Sequence, residues 1–535
     1  VPLAPTPSLT PSLSPSLSLS PAAAPARRPQ DTMRVLLQAI AAMLVLVSLA
    51  SFLISSTPPA PKPHPAFPGP NATKKMSPPV HVAQPVSPKG QKFGEPIAIN
   101  SPDDDARPEE EIVNGSGEFP LFSPEYSKPH AHIIFSTDCS SYQNWQSEFL
   151  AWSAVRVGHQ GPVTRIASNC DDDEKAKLQA RYEDLDVGGL RVHFADQSAL
   201  MGNNNYYKYF NKPSGLLHWL KNDARLHGNE VIALLDPDMI LMKPFQAHIS
   251  PERDFTRTIE NGIYTPDDAP RRTVDGRPVG AAYGLGAKWL EFKRDYICGP
   301  GSPCVSDWDD AGPKTKEAVA KFAVGPPYMA TRNDFVKISH YWTDFCPKLY
   351  EEFATLLTEM YAYCLAAAHL QLPHFTVTNW MVSEPDMETR EAWPEVEEII
   401  DSEDFVCDES ILTIHERHPQ SPNILHYCQR YVIAQDQIWS KHRIPHDIFS
   451  CEAPMLRPPP SNALDFTPGL DADSRPLSTR LFRRNTFMTC YATYAMNDAL
   501  TRFKKANCGD EANYEQVYLP LRHGADCRGD PNCHN

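Results

Sequence analysis

Through the middle of the chain, short apolar runs take turns with apolar residues at helical spacing. HIIFST (His132–Thr137) is a continuous run of the length of a buried strand. Trp145, Phe149, Trp152 and Val155 then recur every three to four residues, which predicts a helix over Trp145–Val157. VTRIAS (Val163–Ser168) and LRVHFA (Leu190–Ala195) predict a second and a third strand. Pro213 opens PSGLLHWLKND, a short helix with proline in its first turn, and VIALL (Val231–Leu235) predicts a fourth strand. Strands alternating with helices predict an α/β layer with a mostly parallel sheet, and in such sheets ligands bind beyond the carboxyl ends of the strands. Further on, Leu349, Phe353, Leu356, Leu357, Met360, Tyr361, Cys364 and Leu365 predict one long amphipathic helix, or two abutting ones, over Leu349–Leu370. After about Cys451, RPPPSNALDFTPGLDADSRP reads as a linker, followed by a helical tail over Leu481–Asn507 and a cysteine-bearing end. No internal repeat is present.

The N-terminal quarter has a different pattern. Of 53 prolines, 8 fall in the first 30 residues and 17 between Ser55 and His130, with too little contiguous apolar content to offset the entropy of ordering. Between these stretches lies Val35–Ile54 (VLLQAIAAMLVLVSLASFLI), 20 residues without a charge, enough to span a hydrocarbon core of about 30 Å. Arg27, Arg28 and Arg34 precede it, which places the short N-terminus in the cytoplasm. Met33 stands just before the segment and is an alternative start of translation; a cleaved signal peptide is the alternative to an anchor. The expected organisation is a low-complexity N-terminus (1–34), a transmembrane signal anchor (35–54), a Pro-rich stalk (55–130), a folded α/β domain (131–460), and a linker with a C-terminal helical tail (461–535).

Either way the bulk of the chain is expected in the lumen or outside the cell, and the 13 cysteines agree, since in an oxidising compartment they would pair and leave one over. Cys298 and Cys304 bracket GPGSP and would close a small loop. Asn71 and Asn114 begin N-glycosylation sequons in the stalk. A formal charge of −16, with no basic stripe, argues against nucleic acid as a partner, and GLG at Gly284–Gly286 falls short of a dinucleotide fingerprint. No tight C-x2-C pair supports a structural zinc, and His442-x3-His446 lies beside a proline.

The distinctive chemistry is VIALLDPDMILMKP (Val231–Pro244), in which Asp236 and Asp238 lie between two apolar runs. Ionised carboxylates in apolar surroundings are costly unless they are paired or bind a metal. Asp-x-Asp also occurs at Asp103/Asp105, Asp171/Asp173, Asp184/Asp186, Asp307/Asp309 and Asp471/Asp473, all in hydrophilic or turn-rich stretches. Only Asp236-Pro-Asp238 follows a five-residue apolar strand directly and precedes another apolar run. Two carboxylates at a strand end can share a hard divalent cation and leave its other positions for water and phosphate oxygens; a capped turn is the plainer reading.

FSTDCSSYQNWQ (Phe135–Gln146), GPVTRIAS (Gly161–Ser168), NKPSGLLHWL (Asn211–Leu220), LLDPDMI (Leu234–Ile240), EMYAY (Glu359–Tyr363) and LHY (Leu425–Tyr427) occur in this order. As an ordered set, over roughly Ala131–Pro460, they resemble the plant and algal peptidyl-serine α-galactosyltransferases and the related hydroxyproline O-arabinosyltransferases. The resemblance implies a GT-A-like (Rossmann-like) glycosyltransferase domain, anchored as a single-pass type II protein of the Golgi or ER. It would move galactose or arabinose from a UDP-sugar to Ser or hydroxyproline of secreted, Pro/Ser/hydroxyproline-rich polypeptides, with Mn²⁺ or another divalent cation and with retention at the anomeric carbon. Asp236 and Asp238 match the family's metal-binding acids, and His426 stands where such folds often add a metal ligand; its plain reading is a core histidine.

Softer candidates complete the set. Ser136 and Thr137 end the first strand, where a base or ribose would lie or a strand-end hydrogen bond would form; Arg165, Lys212 and Lys441 would face phosphates or serve as ordinary ion-pair partners. Glu359 falls on the polar side of the long helix, a solvated position by default. Its functional reading is a catalytic carboxylate beside Asp236 and Asp238, orienting the acceptor hydroxyl or stabilising an oxocarbenium-like centre. Trp380 and Glu384 would shape the acceptor site, although core packing is the plainer reading of the tryptophan. No residue is compelling as a nucleophile, which favours same-face attack with the leaving phosphate taking the acceptor's proton. The competing readings are a non-catalytic cell-wall protein whose globular part binds carbohydrate, and a transferase with a glycan acceptor.

Overall fold

The computed structural model describes residues 130–517, apart from 196–200, 202–205, 227–228, 251–252, 259–261, 265–272, 306–311, 388–389, 435–436 and 470–475. The Val35–Ile54 segment, both glycosylation sequons, Cys527 and Cys533 lie outside these residues. Among the described residues, no helix is long and apolar enough to cross a membrane.

The chain runs β1 (His132–Thr137), α1 (Ser141–Arg156), β2 (Val163–Ala167), α2 (Asp172–Asp184), β3 (Arg191–Phe194), α3 (Asn211–Asn222), β4 (Val231–Leu235) and β5 (Met239–Leu241). A hairpin of β6 (Thr256–Thr258) and β7 (Gly262–Tyr264) precedes β8 (Val279–Ala282), β9 (Val324–Thr331), α4 (Arg332–Glu352) and α5 (Thr358–His369). Short strands β10 (Phe375–Val377), β11 (Met381–Val382), β12 (Ile424–His426), β13 (Tyr431–Ala434) and β14 (Gln437–Trp439) follow, and α6 (Thr479–Asn507) comes last among the long helices.

Seven strands form one sheet in the order β10-β8-β9-β4-β1-β2-β3. The pairs β4–β1, β1–β2, β2–β3 and β10–β8 are parallel, and β9 runs antiparallel between β4 and β8. The result is a mixed α/β fold dominated by parallel pairing, as the alternation of elements predicts. Successive residues face opposite sides of the sheet. Ile134, Ile232 and Leu234 pack with Leu216 and Trp219 of α3 on one side. Ile133, Phe135, Ala233 and Leu235 pack with Leu150 and Ala154 of α1 on the other. Because both faces are covered, the strands read as continuous apolar runs rather than alternating ones.

The Leu349–Leu370 pattern resolves into two helices, α4 ending at Glu352 and α5 starting at Thr358. Thr355 and Thr358 explain the break. The Thr358 hydroxyl donates to the carbonyls of Phe353 and Thr355 and accepts from the Thr355 amide at 3.1 Å, so side chains replace the helical ladder.

α6 is built into the core. Phe487, Met488, Tyr491 and Ala492 are buried, and Lys504 near its end donates to the carbonyls of Ser450, Cys451 and Ala453. Asn485 and Thr489 donate to the carbonyls of Val432 and Tyr431, so α6 buttresses the segment between β12 and β14. The Cys407–Cys490 disulfide fixes the same helix, and Cys451–Cys508 closes its far end. Cys298–Cys304 closes the GPGSP loop, and Cys139–Cys170 ties the segment after β1 to the segment after β2. Cys346, Cys364 and Cys428 are unpaired among the described residues.

Candidate functional site

Strand β4 ends at Leu235 and delivers Asp236 to the carboxyl edge of the sheet. By register, Ser136 of β1 stands level with it, one residue past the Phe135–Leu235 pair. Pro237 then turns the chain, the Met239 amide donating to the Asp236 carbonyl at 3.2 Å, and the chain enters β5. β12 pairs antiparallel with β5 and sets His426 opposite Met239, while the Tyr427 amide donates to the Asp238 carbonyl at 3.0 Å. Sheet pairing therefore carries His426 to Asp238 across 188 residues of sequence, with Nε2 3.1 Å from Oδ1. One donor atom from each of Asp236, Asp238 and His426 lies within 4.8 Å of the others, and no other trio of His, Cys, Asp or Glu does this among the described residues. Two carboxylates and an imidazole, with Asp238 and His426 buried, suit a divalent cation of the Mn²⁺ type.

Two ammonium groups already sit on these carboxylates. Lys212 of α3 places Nζ 2.8 Å from Asp236 Oδ1 and 2.6 Å from Glu359 Oε1. Lys441, in the turn after β14, places Nζ 2.5 Å from Asp238 Oδ2. Burial works against ionisation of Asp238, but Lys441 and His426 outweigh it and hold the carboxyl well below its ordinary range. Burial likewise opposes the charge on Lys212, His426 and Lys441. The facing carboxylates overcome it, and all three stay protonated more strongly than usual.

Glu359 is 3% exposed, so its position on the polar stripe of the helical pattern does not place it in solvent. Its backbone is anchored by Trp342 Nε1, which donates to the Glu359 carbonyl at 2.6 Å, and by Tyr207 Oη, which accepts from its amide at 3.2 Å. Oε1 takes the Lys212 ammonium; Oε2 is buried without a hydrogen-bond partner. Burial raises the carboxyl from 4.5 to about 7, against the pull of Lys212 and with help from the like charge of Asp236. Charge is thus favoured on Lys212 and disfavoured on Glu359 for one reason: two carboxylates hold the lysine, whereas a single ammonium faces the buried glutamate.

A carboxyl raised in the folded state binds its proton more tightly there than in the unfolded chain. The contribution of Glu359 is therefore neutral below about pH 4.5, turns unfavourable as pH rises, and reaches its full cost, on the order of 3 kcal/mol, above about pH 7. Glu359→Gln is expected to flatten the fall in stability between pH 5 and 7 by about that amount, measured by denaturant unfolding across the range.

The remaining candidates fall into two groups. Ser136 lies level with the acids, and its buried Oγ has no hydrogen-bond partner. Thr137 Oγ1 accepts from Arg165 Nε at 2.7 Å, and the same fully buried guanidinium donates to the Asp138 carbonyl and to Tyr182 Oη. Arg165 thus clamps β1, β2 and α2 together and does not contact the acid pair. Trp380 is buried, with its indole N–H on Asp254 at 2.9 Å, and Glu384 lies in the turn organised by the Glu391 carboxylate. His442 and His446 pack around the Tyr142 ring, at 5.7 and 5.6 Å, rather than around a common donor point.

Two tyrosines border the site that no spacing singles out. Tyr142, within the FSTDCSSYQNWQ stretch, is raised to about 12 by burial, with Lys441 pulling it down and Asp238 pushing it up. Tyr283 is raised by burial and by the nearby charges of Asp236 and Asp238. Its ring rests against Gly325, where a Cβ would lie 2.4 Å from the ring carbon Cγ, so Tyr283 and a distant glycine form one fitted unit.

No protein-family model matches the chain. It is 25% identical over 252 residues to a peptidyl serine α-galactosyltransferase of Arabidopsis thaliana, covering 45% of this chain and 26% of that protein. It is 25% identical over 300 residues to a peptidyl serine α-galactosyltransferase of Chlamydomonas reinhardtii, covering 52% and 35%. The chain therefore spans about a quarter to a third of the length of these curated relatives, and both carry the name that the ordered motifs point to. Among solved structures, the galactosyltransferase LgtC with donor and acceptor sugar analogs overlaps it at TM-score 0.28 and 11% identity, covering 59% of this chain and 98% of that one. The glycosyltransferase GlyE of Streptococcus pneumoniae overlaps at TM-score 0.26 and 9% identity, covering 57% and 56%.

Proposed function

We propose that the chain is a GT-A-like, metal-dependent glycosyltransferase that moves galactose, or arabinose, from a UDP-sugar to Ser or hydroxyproline of secreted polypeptides. The observation that carries this reading is the Asp236–Asp238–His426 trio at the carboxyl edge of the sheet, with Lys212 and Lys441 on its carboxylates. The activity for which the relatives are named supports galactose and serine. The uncharged Val35–Ile54 segment and the four disulfides among the described residues support a lumenal enzyme of the Golgi or ER held by one N-terminal span.

In this reading Asp236, Asp238 and His426 would hold a divalent cation, which would supply positive charge to a diphosphate. Lys441, paired with Asp238, adds a further positive charge beside the acids, available to the leaving phosphate. Ser136 Oγ, a hydroxyl without a hydrogen-bond partner on the same edge, meets the donor's polar groups. Transfer breaks the bond from the anomeric carbon to the phosphate oxygen and forms one to the acceptor oxygen, the acceptor's proton passing to the departing phosphate on the same face. Glu359 acts through Lys212, holding that ammonium beside Asp236, because its one bonded oxygen is already committed there.

Full-length protein is expected to show a thermal shift with UDP plus Mn²⁺, since a ligand of the native state alone raises stability. It is expected to release UDP from UDP-galactose when given a Ser- and Pro-rich peptide. No shift at saturating ligand would favour a carbohydrate-binding protein without a nucleotide site. Turnover of UDP-arabinose, of a hydroxyproline peptide, or of a glycan acceptor in preference would reassign donor or acceptor.

A further inference from the structure

Both oxygens of Asp238 are in use: Oδ1 faces His426 Nε2 and Oδ2 faces Lys441 Nζ. Each oxygen can accept more than one partner, but a divalent cation on this carboxylate repels the positive groups already on it and drives one of them away. His426 offers its ring nitrogen as a ligand once the proton is gone, so the group that has to leave is the Lys441 ammonium. The two lysines are not equivalent in this respect. Lys212 has a second seat on Glu359 at 2.6 Å, within a buried helix, and loses little when Asp236 turns to a metal. For Lys441, Asp238 is the carboxylate in contact, and its side chain is 19% exposed on a short turn at the rim.

We infer that Lys441 is a counter-ion exchanged between two partners: it occupies Asp238 while no cation is bound and moves to the donor's diphosphate when one is. This rests on the metal-and-diphosphate reading above and deepens it. Charge balance gives the consequence. Without ligands the two aspartates face two ammoniums and the His426 proton; a divalent cation alone takes the place of that proton and releases Lys441 into a site that offers it no anion. When the diphosphate arrives as well, the released ammonium gains a new partner. Cation and nucleotide therefore bind with positive coupling, part of which belongs to this one side chain.

Titrating Mn²⁺ by EPR of the free ion, with and without UDP, tests this in wild-type protein and in Lys441→Met. In wild type, UDP is expected to tighten Mn²⁺ at least about tenfold, within the usual range of coupling between two ligands. Lys441→Met is expected to bind Mn²⁺ alone about tenfold or more tightly than wild type, because a positive charge beside the ion has gone. The same variant is expected to show a correspondingly smaller gain from UDP. A purely structural role would not improve metal binding. If Lys441→Met fails to fold, Lys441→Gln, neutral and able to hydrogen-bond Asp238, gives the same comparison. Equal or weaker Mn²⁺ binding by the variant, with Mn²⁺ and UDP still bound together, overturns the exchange and leaves the proposed function standing. Mn²⁺ bound by neither protein, with or without UDP, overturns both.

Discussion

Asparagine at Asp236 is expected to lower nucleotide-sugar turnover by roughly a thousandfold, the scale of losing several kcal/mol of charge stabilisation, and to remove the thermal shift with UDP and Mn²⁺. Position 236 is the cleaner of the two tests. Asp236 is 18% exposed and keeps Lys212 close through Glu359, so the folded state tolerates an amide there. Asp238→Asn should abolish turnover as well, but it also takes the negative charge from under both Lys441 and His426, so its unfolding free energy falls too. The same substitution in a look-alike pair is the control. Asp171 caps α2 through a capping box with Glu174, and Asp173 lies in the exposed first turn of that helix. Asp173→Asn is expected to leave turnover unchanged. Steady-state rates with UDP-galactose and a serine peptide decide the matter, and wild-type turnover in Asp236→Asn would remove that carboxylate from the mechanism.

Lys212→Met is expected to cost about 3 kcal/mol or more of stability at pH 8, and turnover with it. One ammonium balances Asp236 and Glu359, and Glu359 is sealed from water by Trp342, Tyr207 and α5. Removing one partner of a buried pair leaves the other charge uncompensated, which is far more costly than losing a surface bridge. The pH dependence distinguishes this from a packing defect. At pH 6 Glu359 can take up a proton instead, so the loss should be smaller there than at pH 8. A loss equal at both pH values would assign Lys212 to packing. Denaturant unfolding of both proteins at the two pH values reads this directly.

Local patterning predicted most of the elements that frame the site. β1 and β4 coincide with HIIFST and VIALL, and β2 with all but the last residue of VTRIAS, because a strand covered on both faces is largely apolar. The special status of Asp236-Pro-Asp238 was likewise legible, since an acid pair directly after such a strand sits at a sheet edge. Helix α6 shows where patterning stopped. Its spacing gave a helix, but the proline-rich stretch before it suggested a tail. Its burial against β13, and the Cys407–Cys490 bridge across 83 residues, make it the support of the site's far wall.

Charge environment was the least legible property. Glu359 falls on the polar stripe of its helix, and periodicity alone places such a residue in water. Lys212, 147 residues earlier, reaches it from α3 and turns a solvated position into a buried ion pair. Lys441 reaches Asp238 across 203 residues in the same way, and Arg165, whose sequence context suits a phosphate, is instead consumed by Thr137, Asp138 and Tyr182. The sequence by itself determined the strands, the sheet edge and the acids on it, because burial period and strand termini are local properties. Which cation meets which carboxylate was decided only by the tertiary structure, because a charged side chain's partner depends on what packs against it from afar.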